Sequence, residues 1–209
     1  MTSASNKKRA LGVFAGTAVF ALALAGCAPA GDSGDTGGSD SLIVGTTDKV
    51  TFIDPAGSYD NGSFAIMNQV YPFLLNSPLG TSDVEPDIAV SAEYTSPTEY
   101  TVVLKDGLKF ANGNDLTASD VKFTFDRQQK IADENGPSSL LYNLDSVEAV
   151  DDTTVVFTLK SENDQIFPQI LSSPVGPIVD EDVFSADSLT SDDDIVEGDA
   201  FAGQYVIDS

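Results

Sequence analysis

Two hairpin patterns on either side of one well-capped helix constrain this chain more than any other feature in it. Residues 92–95 and 100–104 read as strand-like runs around Ser96-Pro97-Thr98, and Asp106-Gly107 marks the next turn. The stretch "LTASDVKFTFDRQQK" then changes to helical character. Thr117 is its predicted N-cap. Asp120 stands three residues on, in capping-box register, where a carboxylate also suits the positive end of the helix dipole. A second hairpin follows, with residues 147–150 leading in, Asp151-Asp152 as the turn and residues 155–159 returning. "QIFPQILSSPVGPIV" is apolar but broken by three prolines, which predicts a short helix and then an extended crossing segment.

The flanks are less regular. Leu42-Ile43-Val44-Gly45-Thr46 predicts a short buried strand. "TFIDPAGSYDNGS" is a loop by its Asp, Pro, Gly and Asn content. Phe64, Met67, Val70, Tyr71, Leu74 and Leu75 recur at helical spacing and predict a core-facing stripe, with Asn61 or Ser63 as its cap and Pro72 kinking or shortening it. Residues 180–199 carry nine acids in twenty positions. "DDDIVEGD" lacks the alternating ligands and bend glycine of a calcium loop, so a solvated acidic loop is expected. A strand is expected at residues 204–207, and the ending reads as a domain cut partway through.

Composition removes several chemistries. The chain has no histidine and a single cysteine, Cys27. Ser-His-Asp and Cys-His catalysis, the usual zinc ligand sets and disulfide staples are therefore absent from it. No GxxxxGK[ST] or GxGxxG occurs, and there is no internal repeat. Carboxylate pairs such as Asp151-Asp152 sit at a predicted exposed turn, where nothing would tune them for acid–base work. An enzyme is thus disfavoured, and no cofactor is implied.

Residues 1–26 have the form of an export leader. Lys7, Lys8 and Arg9 precede an uncharged run, Leu11 to Ala25. Fifteen helical residues would reach only roughly 22 Å, short of the ~30 Å of a bilayer's hydrocarbon core, which favours a signal peptide over a membrane span. Its last residues, Leu24-Ala25-Gly26-Cys27, resemble the bacterial lipobox. That resemblance implies cleavage before Cys27 and lipid attachment to its thiol. Residues 27–41 form a Gly/Ser/Asp-rich linker. Its eleven most polar positions would reach roughly 17–20 Å as a flexible coil, enough to hold a domain off a membrane. The mature chain would carry seven basic residues, the ten of the whole less the three of the leader, against thirty-three acids, a net of −26. Nucleic acid and anionic membrane surfaces are poor partners for such a charge.

"GLKFANGNDLTASDVKFTFDR" resembles a stretch typical of the family 5 extracellular solute-binding proteins, the dipeptide, oligopeptide and nickel receptors of ABC importers. "FIDPAGSYDNGS", "NQVYPFLL", "VEPDIAVSAEY", "DDTTVVFTLKSENDQIFPQIL" and "FAGQYVI" follow that family's order of landmarks, so the resemblance runs from about Leu42 to the end. The chain departs from the pattern at Pro72, where the family has an acid, and at Gln204 of Ala202-Gly203-Gln204-Tyr205. Members are usually more than twice this length.

The resemblance implies an α/β fold of the type II periplasmic-binding-protein kind. Residues 42–209 would be a partial first lobe with a small α+β subdomain, the second lobe lying outside the chain. Two such lobes close on ligand about a hinge. The resemblance also implies first-lobe ligand contacts at Tyr59, Asp60 and Asn61, through backbone groups that pair with any peptide. A further contact is implied in the segment Gly136-Pro137-Ser138, where Ser138 stands in place of an aromatic residue. The implied role is a lipid-anchored receptor, a monomer, on the extracytoplasmic face of the cell membrane. It would capture peptides and deliver them to ABC permease subunits. A nickel or oligosaccharide receptor of the same family and a non-transport surface lipoprotein are the alternatives.

Overall fold

The computed structural model describes residues 43–208, so the leader, Cys27 and the whole linker lie outside the described residues. The hairpin–helix–hairpin pattern forms as expected. Strands β3 (Ala89–Ser96) and β4 (Glu99–Leu104) make the first hairpin, and β5 (Leu144–Ala149) and β6 (Thr154–Leu159) the second. They join in one antiparallel sheet of order β3-β4-β6-β5, with Tyr100 opposite Phe157 and Val102 opposite Val155. Alternation then decides the faces. Tyr100, Val102 and Leu104 of β4 and Val155, Phe157 and Leu159 of β6 all point inward. Helix α2 (Ala118–Ile131) covers them, its Phe125 meeting Phe157 edge-on at 5.1 Å between ring centroids. Phe167, at the start of the short helix α3 (Phe167–Ile170), closes the same cluster against Tyr100 and Phe157.

Helix α2 starts as the sequence predicts. The Thr117 hydroxyl accepts from the Ser119 N–H at 3.2 Å, and Asp120 returns the favour by accepting from the Thr117 N–H at 2.8 Å. Its polar residues behave differently from an ordinary solvated stripe. Asp120, Thr124 and Arg127, one helical face by their spacing, are all buried. Asp120 accepts from the Glu181 N–H, Thr124 from the Val179 N–H, and Arg127 donates to the Ser185 and Ser188 carbonyls. The helix thus packs its apolar side on the sheet and ties its polar side to the returning chain.

Beyond that polar face lies a second core of Ile53, Met67, Val70, Tyr71, Val179, Phe184, Ile195, Ala200 and Phe201. Helix α1 (Asn61–Val70) supplies much of it. Its cap is Asp60 rather than Asn61 or Ser63: Asp60 has extended backbone and accepts from the Ser63 N–H at 2.9 Å. The predicted stripe is buried at Met67, Val70, Tyr71, Leu74 and Leu75, but the helix stops at Val70. Pro72 cannot donate to the helical ladder, so Leu74 and Leu75 leave the helix and join the sheet-side core instead. Leu75 and Asn76 form β1, which pairs with the two-residue β2 (Glu85–Pro86).

Three expectations fail. Residues 43–46 form no strand, and Ile43 and Val44 are 93% and 78% exposed, because no described strand lies alongside to pair their backbone or cover their side chains. Residues 204–207 form no strand either. The N–H groups of Gly203 and Tyr205 are spent on the Val70 and Gln69 carbonyls, which the end of α1 leaves without helical partners. The acidic segment is not wholly a solvated loop, although six of its nine acids are exposed. It contains helix α4 (Asp192–Glu197), capped by Ser191, with Ile195 fully buried. Asp180 is buried as well, accepting from the Asn112 and Asn114 side-chain amides at 2.8 and 2.9 Å. Asp192 accepts from the Ile53 N–H. Three acids in the first turn of α4 suit its dipole. Among the described residues every strand pairing is antiparallel, and no helix is long and apolar enough to cross a membrane.

Candidate functional site: a groove beside the first turn of α1

Residues 49–60 form a loop laid across the N-terminus of α1. Gly62 makes the crossing possible, since a Cβ there would lie 2.2 Å from the Lys49 carbonyl oxygen. The Thr51 N–H donates to Ser63 Oγ at 2.9 Å, fixing the strand-like approach. Asp54 then caps a 3-10 turn, Pro55–Gly57, by accepting from the Ala56 N–H at 2.9 Å. Asp54 and Arg127, neither more than 1% exposed at the side chain, form a two-pronged ion pair with both N–H···O distances 2.8 Å. The Thr190 N–H gives Asp54 a further donor, and the Arg127 guanidinium lies 5.3 Å from the Phe184 ring centre. The loop is therefore bolted to α2 from beneath.

A second segment meets it. Helix α2 ends at Ile131, and the capping residue Ala132 takes left-handed backbone with φ 45°. Asp133 folds the next residues into a tight turn by accepting from the Asn135 N–H at 2.8 Å. Gly136 is then pressed against the 3-10 turn so closely that a Cβ would sit 2.0 Å from the Ala56 carbonyl oxygen. Between the two segments runs an open groove of about 660 Å³, lined in part by Lys49, Phe52, Tyr59, Asp60, Glu134 and Asn135.

Of the residues expected at a site, Tyr59 and Asp60 line this groove, Tyr59 with 53% of its surface exposed. Asn61 is exposed on the first turn of α1 but does not line the groove. Ser138 is half-buried at the start of a 3-10 turn, Ser138–Leu141, and the groove takes Ser139 in its place. The Asp60 carboxylate is engaged by the protein, accepting from the Ser63 N–H and the Ser58 and Thr51 hydroxyls. Burial alone would raise its pKa, but donors from the Ser63 backbone and the Thr51, Ser58 and Ser63 hydroxyls outweigh it and hold the group at about 2. What Tyr59 and Asp60 can offer a ligand is backbone, extended at Asp60 with φ/ψ of −129/156°, while Ser58 before them is fully buried. Lys49, Phe52 and Asn135 were not legible as site residues. Their only sequence signal is proximity to "DP" and to the end of α2.

A smaller hollow of about 370 Å³ lies at the C-terminal end of α1, between Pro72, Asp87 and Gly203. Asp87 there is engaged by the Phe73 N–H. Among the described residues no group of three or more His, Cys, Asp or Glu side chains is placed to hold a metal ion.

The family model described as bacterial extracellular solute-binding proteins, family 5 Middle, matches residues 83–209. The protein named probable D,D-dipeptide-binding periplasmic protein DdpA of Escherichia coli K12 is 34% identical over 125 residues, covering 57% of this chain and 24% of that protein. The glutathione-binding protein GsiB of the same strain is 30% identical over 143 residues, 66% of this chain and 27% of that one. The structure of the oligopeptide-binding protein AppA from Bacillus subtilis, in complex with a nonapeptide, superposes with a TM-score of 0.55 at 29% identity, over 64% of this chain and 26% of that one. The chain thus spans about a quarter of the length of the curated relatives it matches.

Proposed function

The chain belongs to the bacterial extracellular solute-binding proteins of family 5, and on that premise we propose that it is part of a receptor that captures short peptides outside the cell membrane and passes them to an ABC import permease. The family's fold is the type II periplasmic-binding-protein fold, and its members are binding proteins rather than enzymes. The observation that carries the peptide reading is the groove itself. It presents the backbone of Tyr59 and Asp60, the latter extended, held rigid from below by the Asp54–Arg127 pair. Extended backbone recognises what all peptides share, their own N–H and C=O groups, and leaves side chains free to vary. The relatives named for a D,D-dipeptide, for glutathione and for a bound nonapeptide support the same class.

The groove is open on one side, and a second lobe outside these residues would close it, since small-ligand sites bury most of their ligand. Tyr59 and Asp60 form its first-lobe wall, with Asn61 and Ser138 as flanking contacts. In this reading residues 1–26 are removed, Cys27 carries the lipid, and residues 27–41 hold residues 42–209 off the membrane as a monomer. Mass spectrometry of the native protein should find an acylated N-terminal Cys27; an unmodified thiol with the leader still attached would refute the anchor.

Calorimetry on the full-length gene product with a pool of di- to pentapeptides tests the receptor. Micromolar or tighter peptide binding is expected. A protein that ignores peptides but takes an oligosaccharide or a nickel chelate would keep the fold and refute the substrate class.

A further inference from the structure

We propose that Lys49 makes the groove selective for anionic peptides, its ammonium pairing with a ligand carboxylate that lies next to an apolar side chain. This rests on the peptide-receptor reading above and adds a charge preference to it.

The chain is strongly acidic, with ten basic residues against thirty-three acids. Its cations are accordingly taken up. Lys109, Lys122, Arg127 and Lys130 pair with Asp115, Asp126, Asp54 and Asp187. Lys105 and Lys160 donate to the Asp87 and Tyr142 carbonyls. Lys49 is the one remaining cation among the described residues, and it has no acceptor there although it lines the same groove as two acids, Asp60 and Glu134. Asp60 is no partner for it, because its oxygens already accept from the Ser63 N–H and the Ser58 and Thr51 hydroxyls. Lys49 is exposed, but its main chain is not loosely placed. Its carbonyl is seated against Gly62, so its backbone is fixed at the first turn of α1.

The same groove is lined by two exposed rings, Phe52 at 42% and Tyr59 at 53%. A ligand side chain laid on those rings would exclude water near the ammonium and strengthen its attraction for a carboxylate. The field of the whole chain repels anions, so an anionic ligand depends on a local cation, and this groove has a single one. The carboxylate could be the peptide's own C-terminus or an acidic side chain, and the chemistry at Lys49 is the same for both.

The test is calorimetry on the full-length protein with four peptides: Ala-Phe-Ala, its C-terminal amide, Ala-Phe-Glu and Ala-Phe-Gln. The two pairs separate a terminal carboxylate from an acidic side chain. The wild type should favour the charged member of at least one pair by about five- to twenty-fold. Lys49→Ala should reduce that preference to less than about two-fold, Lys49→Arg should retain it, and the preference should shrink as salt is raised. Lys130→Ala, which removes the same charge away from the groove, should leave it intact. A wild type that binds these peptides without preference, or a Lys49→Ala variant that keeps the preference, overturns the inference and leaves the receptor reading standing. A wild type that binds neither these four nor any of the peptide pool refutes both together.

Discussion

Replacing Arg127 by methionine should destabilise the protein more than any surface substitution, for a reason visible in its surroundings. The guanidinium donates twice to Asp54 at 2.8 Å, once to the Ser185 carbonyl at 2.8 Å and once to the Ser188 carbonyl at 3.1 Å. Methionine fills similar volume but leaves Asp54, fully buried, with only the Ala56 and Thr190 N–H groups as donors. Stranding one member of a buried ion pair costs about 3–5 kcal/mol. Adding Asp54→Asn to Arg127→Met removes the stranded charge, and the double variant should regain about 1–3 kcal/mol of that loss. Equilibrium urea denaturation of the wild type, both single variants and the double variant completes the cycle. Because Asp54 also caps the turn beneath Tyr59, peptide affinity of Arg127→Met should fall as well. A cost below about 1 kcal/mol, or a double variant no more stable than Arg127→Met, would refute the reasoning that the pair is a mutually compensated charge.

Gly136→Ala should cost about 1–3 kcal/mol in the same denaturation assay, because the Cβ would meet the Ala56 carbonyl and push the two groove segments apart. Thr117→Ala should cost about 0.5–2 kcal/mol through loss of the cap, with peptide affinity unchanged once folding is matched. Asp60, with its pKa lowered from 3.8 to about 2 in the fold, contributes stability that is present above pH 4 and lost as pH falls toward 2. Asp120, raised by burial, acts with the opposite sign, so its contribution weakens as pH rises through its folded pKa. The difference between wild type and Asp60→Asn, followed by urea midpoint from pH 2 to 6, isolates the Asp60 part; parallel curves would show that its carboxylate is not held by the cap.

The elements that the sequence announced are those governed by near neighbours. Alternation marked β4 and β6, Thr117 and Asp120 marked the start of α2, and Ser96-Pro97-Thr98 marked the hairpin, because each signal acts over a few residues of chain. The order of landmarks was enough to indicate the family, and Tyr59 and Asp60 were legible as groove residues from it. The same reading placed strands at residues 42–46 and 204–207, and residues 43–46 and 204–207 are apolar in part but find no partner strand among the described residues. A strand is half of a pair, and the other half is not written in its own sequence.

Tertiary structure alone decided what the polar residues do. Asp120, Thr124 and Arg127 have the spacing and composition of a solvated helix face, yet all three are buried, because a returning chain some sixty positions away brings backbone groups that need partners. Asp54 and Arg127 lie 73 residues apart and Asp180 and Asn112 lie 68 apart. Neither pairing has a local signature, since a carboxylate in a turn looks the same whether it faces water or an arginine. The acids of the α4 segment illustrate the point: composition predicted solvation, which holds for the exposed Asp193, Asp194 and Glu197, whereas the Ile53 N–H of a distant loop captures Asp192.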